Sequence, residues 1–258
     1  MTEKNSTKAV KPLVSVLTVS FNAIDGLRKT VESVDAQTFT DLEHVIVDGG
    51  STDGSVEYLQ SRIDDRLNWI SEPDEGIADA LNKGFALARG EWVIVLGAED
   101  TFFGPESVQQ AVREFSADVD VVAFDIISVR DGRDYRLSTP RPARRLILKP
   151  LHHQGIFCRR NLMCEVGSFN SEFKVCMDYE WFVRAKRHGI RFKSSKTIVS
   201  RMPATGISSR LDWRSLQDRF AEERLVQKQY SQSFAARWLY AIYWPLYLSY
   251  RKLWSVLR

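Results

Sequence analysis

Acidic, hydroxyl and amide side chains follow three hydrophobic segments in the first hundred residues of the chain. They are Thr18, Ser20 and Asn22 after the first segment, Asp48 after the second, and Glu99 with Asp100 after a later one. Two adjacent carboxylates provide the hard oxygen ligands that Mg2+ and Mn2+ prefer, commonly alongside phosphate oxygens. Without a metal the pair would repel itself. The pattern therefore predicts a site for a divalent cation and a diphosphate group.

The hydrophobic pattern around these residues alternates between strand-length and helical segments. Predicted strands cover residues 13–21, 44–47, 67–71 and 92–96, and predicted helices cover 26–36 and 77–88. This alternation is typical of βα units around a mostly parallel sheet. Because ligands of open α/β sheets bind outside the carboxyl ends of the strands, we expect the polar residues to meet at one rim. Alternatively, each of them only caps a helix, as we expect of Ser51 or Thr52 before a helix through Tyr58.

Beyond residue 100 the alternation is looser. Helices are predicted at 105–115, 178–188 and 211–229, and strands at 119–129 and 190–199, with Asp131-Gly132 as a hairpin turn. No GxxxxGK[ST] loop is present, and no GxGxxG follows the first strand, so a P-loop or a dinucleotide-binding fold is not supported. We expect one large domain followed by a helical extension.

Composition limits the function classes. The chain has 258 residues with 36 basic and 33 acidic side chains, a net charge of only +3, so it is not expected to bind nucleic acid. Its three cysteines form no CxxC, which predicts free thiols in a reducing compartment and no thiol-ligated zinc. Residues 1–12 are polar, with no apolar segment of a signal peptide, and are predicted to be a flexible arm. These features predict a cytoplasmic protein.

The C-terminal segment differs in composition from the rest. Residues 230–258 hold nine of the 29 aromatic residues and four cations, but no acid. The uncharged run 238–250 is shorter than the about 20 residues that span a bilayer. This composition favours an interfacial helix on anionic lipid. Packing on the chain's own domain, or on a second subunit of a homodimer, is the alternative.

Four ordered segments of the first hundred residues form a recognisable set: 14–22 (VSVLTVSFN), 45–54 (VIVDGGSTDG), 72–84 (from EPDEGI to NKG) and 90–100 (from GEW to LGAED). Together they resemble family 2 glycosyltransferases of bacterial surface-polysaccharide assembly. The resemblance covers about residues 13–209. It implies the GT-A nucleotide-diphospho-sugar transferase fold as a catalytic domain over 13–209, with an N-terminal arm, 1–12, and a helical, aromatic and basic extension, 210–258. It also implies inversion of the anomeric centre.

The resemblance also implies roles for individual residues. Nucleotide-sugar binding is implied for Thr18, Ser20, Asn22, Asp48, Asp79, Asn82, Lys83 and Glu99, with Asp48 recognising the base. Asp100 matches the metal ligand, for Mn2+ or Mg2+. Glu99 departs from the family pattern, which more usually has Asp there.

Downstream, Asp178 in the segment MDYEW occupies the position of the family's catalytic base. Such a base takes the proton of the acceptor hydroxyl as the sugar carbon is attacked. The alternative is that Asp178 only caps its helix. His153, Gln154 and Ser208 match further elements, as acceptor or diphosphate contacts, with Thr205 replacing a glycine in the closing loop. The basic residues Arg141, Arg144 and Arg145 are candidate contacts for a phosphorylated acceptor.

These observations predict a metal-dependent, inverting, hexosyltransferase-like enzyme of polysaccharide or lipopolysaccharide biosynthesis. Its expected donor is a UDP-sugar, or else a GDP-sugar, and its expected acceptor is a glycan, lipid-linked at the cytoplasmic face of the inner membrane. Two alternatives stay open at this point. A sugar-phosphate nucleotidyltransferase would ordinarily carry a glycine-rich N-terminal loop, and residues 13–22 contain no glycine. A catalytically inactive glycan-binding or scaffold protein would show no metal-dependent hydrolysis of a nucleotide-sugar.

Overall fold

The computed structural model describes residues 11–139, 151–204, 206, 212–230 and 234–256. Its strands are β1 (Val14–Ser20), β2 (Leu42–Asp48), β3 (Leu67–Ser71), β4 (Trp92–Val95), β5 (Thr101–Phe102), β6 (Val121–Arg130), β7 (Arg133–Leu137), β8 (Ile156–Arg159) and β9 (Phe192–Pro203). Its helices are α1 (Ile24–Asp35), α2 (Ser55–Gln60), α3 (Ile77–Leu87), α4 (Ser107–Val112), α5 (Leu162–Val166), α6 (Met177–Arg187), α7 (Trp213–Tyr230) and α8 (Phe234–Val256). The predicted α/β architecture is confirmed.

One sheet organises the described chain, with the strand order β3-β2-β1-β4-β8-β6-β9-β5 and β7 paired to β6. Strands β3, β2, β1 and β4 are parallel neighbours. Strand β8 then runs antiparallel between β4 and β6, and β6 pairs with β9 in parallel. The carboxyl ends of β1, β2 and β4 therefore lie at the same edge, where the sequence places its polar residues.

The strands of the parallel half are hydrophobic because both faces of the sheet are covered. All seven residues of β2 are buried, as is most of β1 and β4. Gly84 brings α3 onto this sheet, since a Cβ atom there would lie 2.1 Å from Leu17 Cδ1. A larger residue at this position would push the helix outward and widen the space beneath the strand ends.

Helix α7 packs against α6, and α8 packs against α7. Leu216, Phe220 and Trp244 form the buried centre of the contact between the last two helices. Trp244 Nε1 donates a 2.7 Å hydrogen bond to Gln227 Oε1. Among the described residues, no helix combines the length and the apolar character needed to cross a bilayer.

Most predicted elements match the structure, but some details were wrong. Helix α2 is not capped by Ser51 or Thr52; it begins at Ser55, whose amide and hydroxyl donate to Asp53 Oδ1. Helix α4 is shorter than predicted, and strands β5 and β8 and helix α5 were not predicted. The three cysteines are free, as expected. The residues Arg141, Arg144, Arg145, Thr205 and Ser208 lie outside the described residues, as does most of the predicted arm.

Candidate active site

A cavity of about 840 Å3 opens at the carboxyl ends of β1 and β4. Its inner wall is apolar and includes Leu81, Phe85 and Trp181, whereas its rim carries polar side chains. Seven predicted site residues line it: Ser20, Asn22, Glu99, Asp100, His153, Gln154 and Asp178. Its volume falls in the range of about 300–1,000 Å3 that is typical of small-molecule sites. The fold thus gathers residues from four separate segments around one space.

Two rim residues have backbone conformations that are uncommon for non-glycine residues. Asn22 has φ +47° and Glu99 has φ +85°. Two hydrogen bonds hold Asn22 in this conformation. Its backbone amide donates to Ser51 Oγ at 2.7 Å, and its side-chain Oδ1 accepts from the backbone amide of Thr52 at 2.9 Å. Such strain persists only where the surroundings hold the backbone, and it concentrates at functional sites.

Asp100 is the buried carboxylate of the rim, with 7% of the residue exposed. Its Oδ2 accepts a 2.9 Å hydrogen bond from the Gly97 amide, and Thr30 Oγ1 donates to its carbonyl at 2.8 Å. Burial raises the pKa of Asp100 to about 6, against the lowering effects of His153, Gly97 and Gln154. A divalent cation beside this carboxylate would favour its charged form. Asp100, with Glu99 next to it, therefore fits a metal that is also held by substrate phosphates.

No group of three or more His, Cys, Asp or Glu side chains within the described ranges has the arrangement of a complete metal site. This is compatible with a Mg2+-type site, in which one or two protein carboxylates are joined by phosphate oxygens and water. Glu99 and Asp100 are the two adjacent carboxylates that the protein contributes to the cavity.

His153 and Asp178 form a pair at the cavity. His153 Nδ1 lies 3.1 Å from Asp178 Oδ2, and both side chains are partly exposed. Burial by itself would lower the pKa of His153, but the hydrogen bond and charge of Asp178, together with the charge of Asp100, outweigh it and raise the pKa. Asp178 lies in the first turn of α6, so the structure places it both at a helix start and in the cavity.

Ser20 is another buried polar residue of the rim. It is 6% exposed, and its Oγ has no hydrogen-bond partner among the described residues. A buried hydroxyl without a partner costs free energy unless a ligand or water satisfies it. Because Ser20 lines the cavity, its hydroxyl can be satisfied by a bound polar ligand.

Two predicted site residues lie in the core beneath the cavity instead of lining it. Thr18 is fully buried, and its Oγ1 lies 2.9 Å from Nε2 of His44, a histidine whose pKa burial lowers to about 3. Asp48 is also fully buried, and it accepts hydrogen bonds from the amides of Gly50 and Ser51 and from the hydroxyls of Ser51 and Ser71. Asp48 thereby fixes the loop that holds Asn22.

The predicted residues of α3 also make contacts within the protein. Asn82 exchanges two hydrogen bonds with the backbone of Phe169, at 3.0 Å and 2.9 Å. Lys83 forms ion pairs with Glu72 at 2.9 Å and with Asp79 at 3.1 Å. None of Asp79, Asn82 and Lys83 lines the cavity. A role for these residues in binding the nucleotide stays a prediction.

Two charged lining residues were not predicted from the sequence. Asp74 lies in the segment 72–84 that carries the family resemblance but was assigned no role, and it accepts a hydrogen bond from the Gly76 amide at 2.8 Å. It lies against Gly49, where a Cβ atom would be 2.6 Å from Asp74 Oδ2. Lys174 brings a cation to the rim, where its Nζ donates to the Glu75 carbonyl. The signal for Asp74 was its place after β3, at the same edge as the other polar residues.

A family model described as glycosyl transferase family 2 matches residues 15–174. The chain belongs to glycosyl transferase family 2. An uncharacterized glycosyltransferase of Mycobacterium tuberculosis strain H37Rv is 36% identical over 180 residues, covering 67% of this chain and 69% of that protein. A PGL/p-HBAD biosynthesis glycosyltransferase of Mycobacterium bovis strain BCG is 27% identical over 224 residues, covering 84% of both. The predicted family and the predicted glycosyltransferase activity are confirmed, whereas inversion and metal dependence stay predictions.

Solved structures share the fold at low sequence identity. Staphylococcus aureus TarS superposes with a TM-score of 0.65 and 19% identity, covering 84% of this chain and 39% of TarS. The mannosyltransferase PcManGT of Pyrobaculum calidifontis, solved with GDP-Man and Mn2+, superposes with a TM-score of 0.60 and 17% identity, covering 96% of this chain and 84% of that one. The predicted GT-A fold is confirmed, and this family 2 member spans about two fifths of TarS.

Proposed function

We propose that this glycosyltransferase transfers a sugar, with inversion, from a nucleoside-diphosphate sugar bound in the cavity. The observation that carries the proposal is the convergence of Ser20, Asn22, Asp100 and Asp178 on one cavity at the carboxyl edge of the sheet. Relatives in fold support the donor class, since TarS 1–349 has been solved with UDP-GlcNAc and PcManGT with GDP-Man and Mn2+. A UDP-sugar is the favoured donor, and a GDP-sugar is the alternative.

In the proposed reaction, Asp178 accepts the proton of the acceptor hydroxyl while that oxygen attacks the anomeric carbon. The nucleoside diphosphate leaves from the opposite face, which inverts the centre. His153 orients Asp178 through the 3.1 Å contact. Asp100 and Glu99 would hold Mn2+ or Mg2+, which when bound neutralises charge on the departing diphosphate. The Ser20 hydroxyl and the Asn22 backbone bind and orient the donor.

For the acceptor we propose a lipid-linked glycan, with the enzyme peripheral to the cytoplasmic face of a membrane. The apolar wall of the cavity suits the ring faces of a sugar, and the aromatic α8 offers contact with a lipid surface. We accordingly propose a role in polysaccharide or lipopolysaccharide assembly.

A thermal-shift panel tests the donor site. UDP, GDP, UDP-GlcNAc and GDP-mannose are each added with and without Mn2+ to the full chain. A ligand at about 100 times its Kd should raise the Tm by roughly 5–10 °C, because it binds only the native state. We expect one nucleotide family to do so, more strongly with Mn2+. If no nucleotide or nucleotide-sugar shifts the Tm, the proposal that the cavity binds the donor is wrong.

The variant Asp100→Asn tests the metal in the same assay. We expect it to lose the added effect of Mn2+ while keeping a shift with nucleotide alone. Asp41→Asn is the matched control, because Asp41 is exposed just before β2, at the opposite end of that strand from the cavity. An undiminished Mn2+ effect in Asp100→Asn would exclude Asp100 as a ligand.

A further inference from the structure

Helix α8 presents a continuous apolar surface to solvent. We call it the outer face of α8 and define it by five exposed large side chains: Trp238 (59% exposed), Ile242 (58%), Tyr243 (44%), Leu246 (67%) and Tyr250 (56%). Four of them, beginning at Trp238, recur every fourth residue, so they form one stripe along the helix. Scattered exposed apolar residues are ordinary, but a contiguous stripe of this kind marks an interaction surface.

The opposite side of α8 is already occupied. Trp244 is 4% exposed and packs with Leu216 and Phe220 of α7, and its indole nitrogen donates to Gln227. Arg251 lies over the rings of Phe220 and Tyr247. The helix is therefore held along its length by α7, and the outer face is a second, separate hydrophobic surface. The outer face runs along the helix axis. A partner that binds it therefore lies along the side of α8 and not at its end.

We propose that the outer face of α8 docks on an anionic lipid surface. Residues 231–258 contain four cations but no acidic residue, so the segment as a whole complements negative charge; Arg251 lies on the side of α7, whereas Lys252 is exposed. Trp238, Tyr243 and Tyr250 bring the aromatic side chains that favour the membrane interface. A second copy of the chain is a poorer occupant, because an isologous contact would bring two acid-free, cationic segments together.

This inference deepens the proposed function and rests on it in one respect. Docking itself needs no catalysis. Its consequence, that the cavity is held near a lipid-linked acceptor, depends on the proposed reaction.

Sedimentation of the full chain with lipid vesicles tests the docking. We expect binding to vesicles of phosphatidylglycerol and phosphatidylcholine, at least about tenfold weaker binding to phosphatidylcholine alone, and weakening by added salt. The double variant Ile242→Gln and Leu246→Gln should bind the anionic vesicles at least about tenfold more weakly, because it removes two side chains that would enter the interface. Both are more than half exposed, so the fold does not depend on them.

Two further variants make the result specific. Ile63→Gln is the matched control, since Ile63 is fully exposed between α2 and β3, and we expect it to bind vesicles like the wild type. Lys252→Glu, at an exposed position, should weaken binding to anionic vesicles without changing the apolar stripe. Equal binding by the wild type and the double variant, or equal binding to neutral and anionic vesicles, would overturn the proposal.

Sedimentation velocity without lipid identifies the competing occupant. If the wild type is a dimer and the double variant a monomer, the outer face is a subunit interface and the lipid proposal is wrong. The thermal shift by nucleotide separates this test from the proposed function. Vesicle binding without any nucleotide response would contradict the enzyme proposal but not the docking.

Discussion

The contact between His153 and Asp178 gives the candidate site its clearest chemical prediction. A general base commonly contributes about 10^2 to 10^4 to the rate. We therefore expect Asp178→Asn to lower sugar transfer by roughly that factor while the nucleotide-dependent rise in Tm persists. Transfer is followed by release of the nucleoside diphosphate. Full transfer activity in Asp178→Asn would show that another residue is the base, and Asp218→Asn, an exposed carboxylate on α7, controls for charge loss.

The raised pKa of His153 predicts a pH dependence of stability. The ordinary histidine pKa of about 6.5 applies to the unfolded chain, and Asp178 and Asp100 raise it in the folded state against the opposing effect of burial. The paired, protonated form therefore stabilises the fold fully below about pH 6.5, and this contribution is lost as the pH rises through the folded pKa. The His153→Gln variant should have a lower free energy of unfolding than the wild type. This difference should be largest at the acidic end of the range, at pH 5.5.

Urea unfolding of both proteins from pH 5.5 to pH 9 measures this difference. We expect the gap to narrow as the pH rises. A gap that stays constant over the whole range would mean that the histidine contributes packing rather than charge.

Among the helices, α7 has a direct influence on the start of α6. Glu222 accepts hydrogen bonds from three consecutive backbone amides, those of Lys174, Val175 and Cys176, at 2.8, 2.9 and 2.7 Å. The next residues begin α6, which carries Asp178 in its first turn. The carboxylate thereby fixes the segment that leads into α6, and its negative charge is favourable at the N-terminus of that helix. A helix outside the matched family segment thus positions the candidate base.

Glu222→Ala should therefore affect both stability and catalysis. We expect the free energy of unfolding to fall by about 2 kcal/mol, since three amides lose a charged acceptor. We also expect kcat to fall with little change in the KM for the donor, because the change displaces Asp178 rather than the cavity strands. Glu222→Gln should restore part of both, since its amide oxygen still accepts. Asp218→Ala, also on α7, should change neither quantity, and a rise in KM alone would contradict the positioning role.

The same elements show what the sequence predicts well. Strands β1, β2 and β4 were predictable because burial on both faces makes them almost continuously hydrophobic, and their polar ends follow from the topology of βα units. Thr18 and Asp48 show the limit of that reasoning. A polar residue of a strand can face the cavity, hydrogen-bond the neighbouring strand as Thr18 does with His44, or hold a loop as Asp48 does through Ser51. Direction and burial, which sequence spacing does not give, decide between these outcomes.

The contribution of Glu222 was equally hidden from the sequence. It lies 44 residues after Asp178 on a helix with many charged side chains, and no local pattern connects the two. Strand β8 was missed for a related reason. It is four residues long and takes its place in the sheet from contacts with β4 and β6, not from a pattern of its own.

At the scale of the molecule, the last three helices connect the outer face of α8 to the cavity. Gln227 of α7 accepts from Trp244 of α8 and hydrogen-bonds Tyr179 of α6, which directly follows Asp178. Tyr230 of α7 also donates to Glu180 of α6 at 2.5 Å. A surface that fixes α8 at a membrane would therefore fix the orientation of the cavity relative to that membrane.

This arrangement predicts that α8 can loosen without loss of the sheet. Trp244 packs only with α7 and with α8 itself within its buried cluster. Replacing a buried Trp by Ala costs about 3–5 kcal/mol, and in Trp244→Ala this cost should appear as local opening of α8. Hydrogen exchange should accelerate in the amides of α8 and remain unchanged in β1, β2 and β4.

Trp238→Ala provides the matched control, because Trp238 is on the same helix but 59% exposed. It should leave the exchange rates of α8 nearly unchanged, since surface substitutions usually alter stability by less than about 0.5 kcal/mol. Both variants should keep the thermal shift by nucleotide, because neither residue lines the cavity. If Trp244→Ala accelerated exchange equally in α8 and in the sheet, the two would unfold as one unit, and α8 would be part of the catalytic fold rather than a separately stabilised helix docked on it.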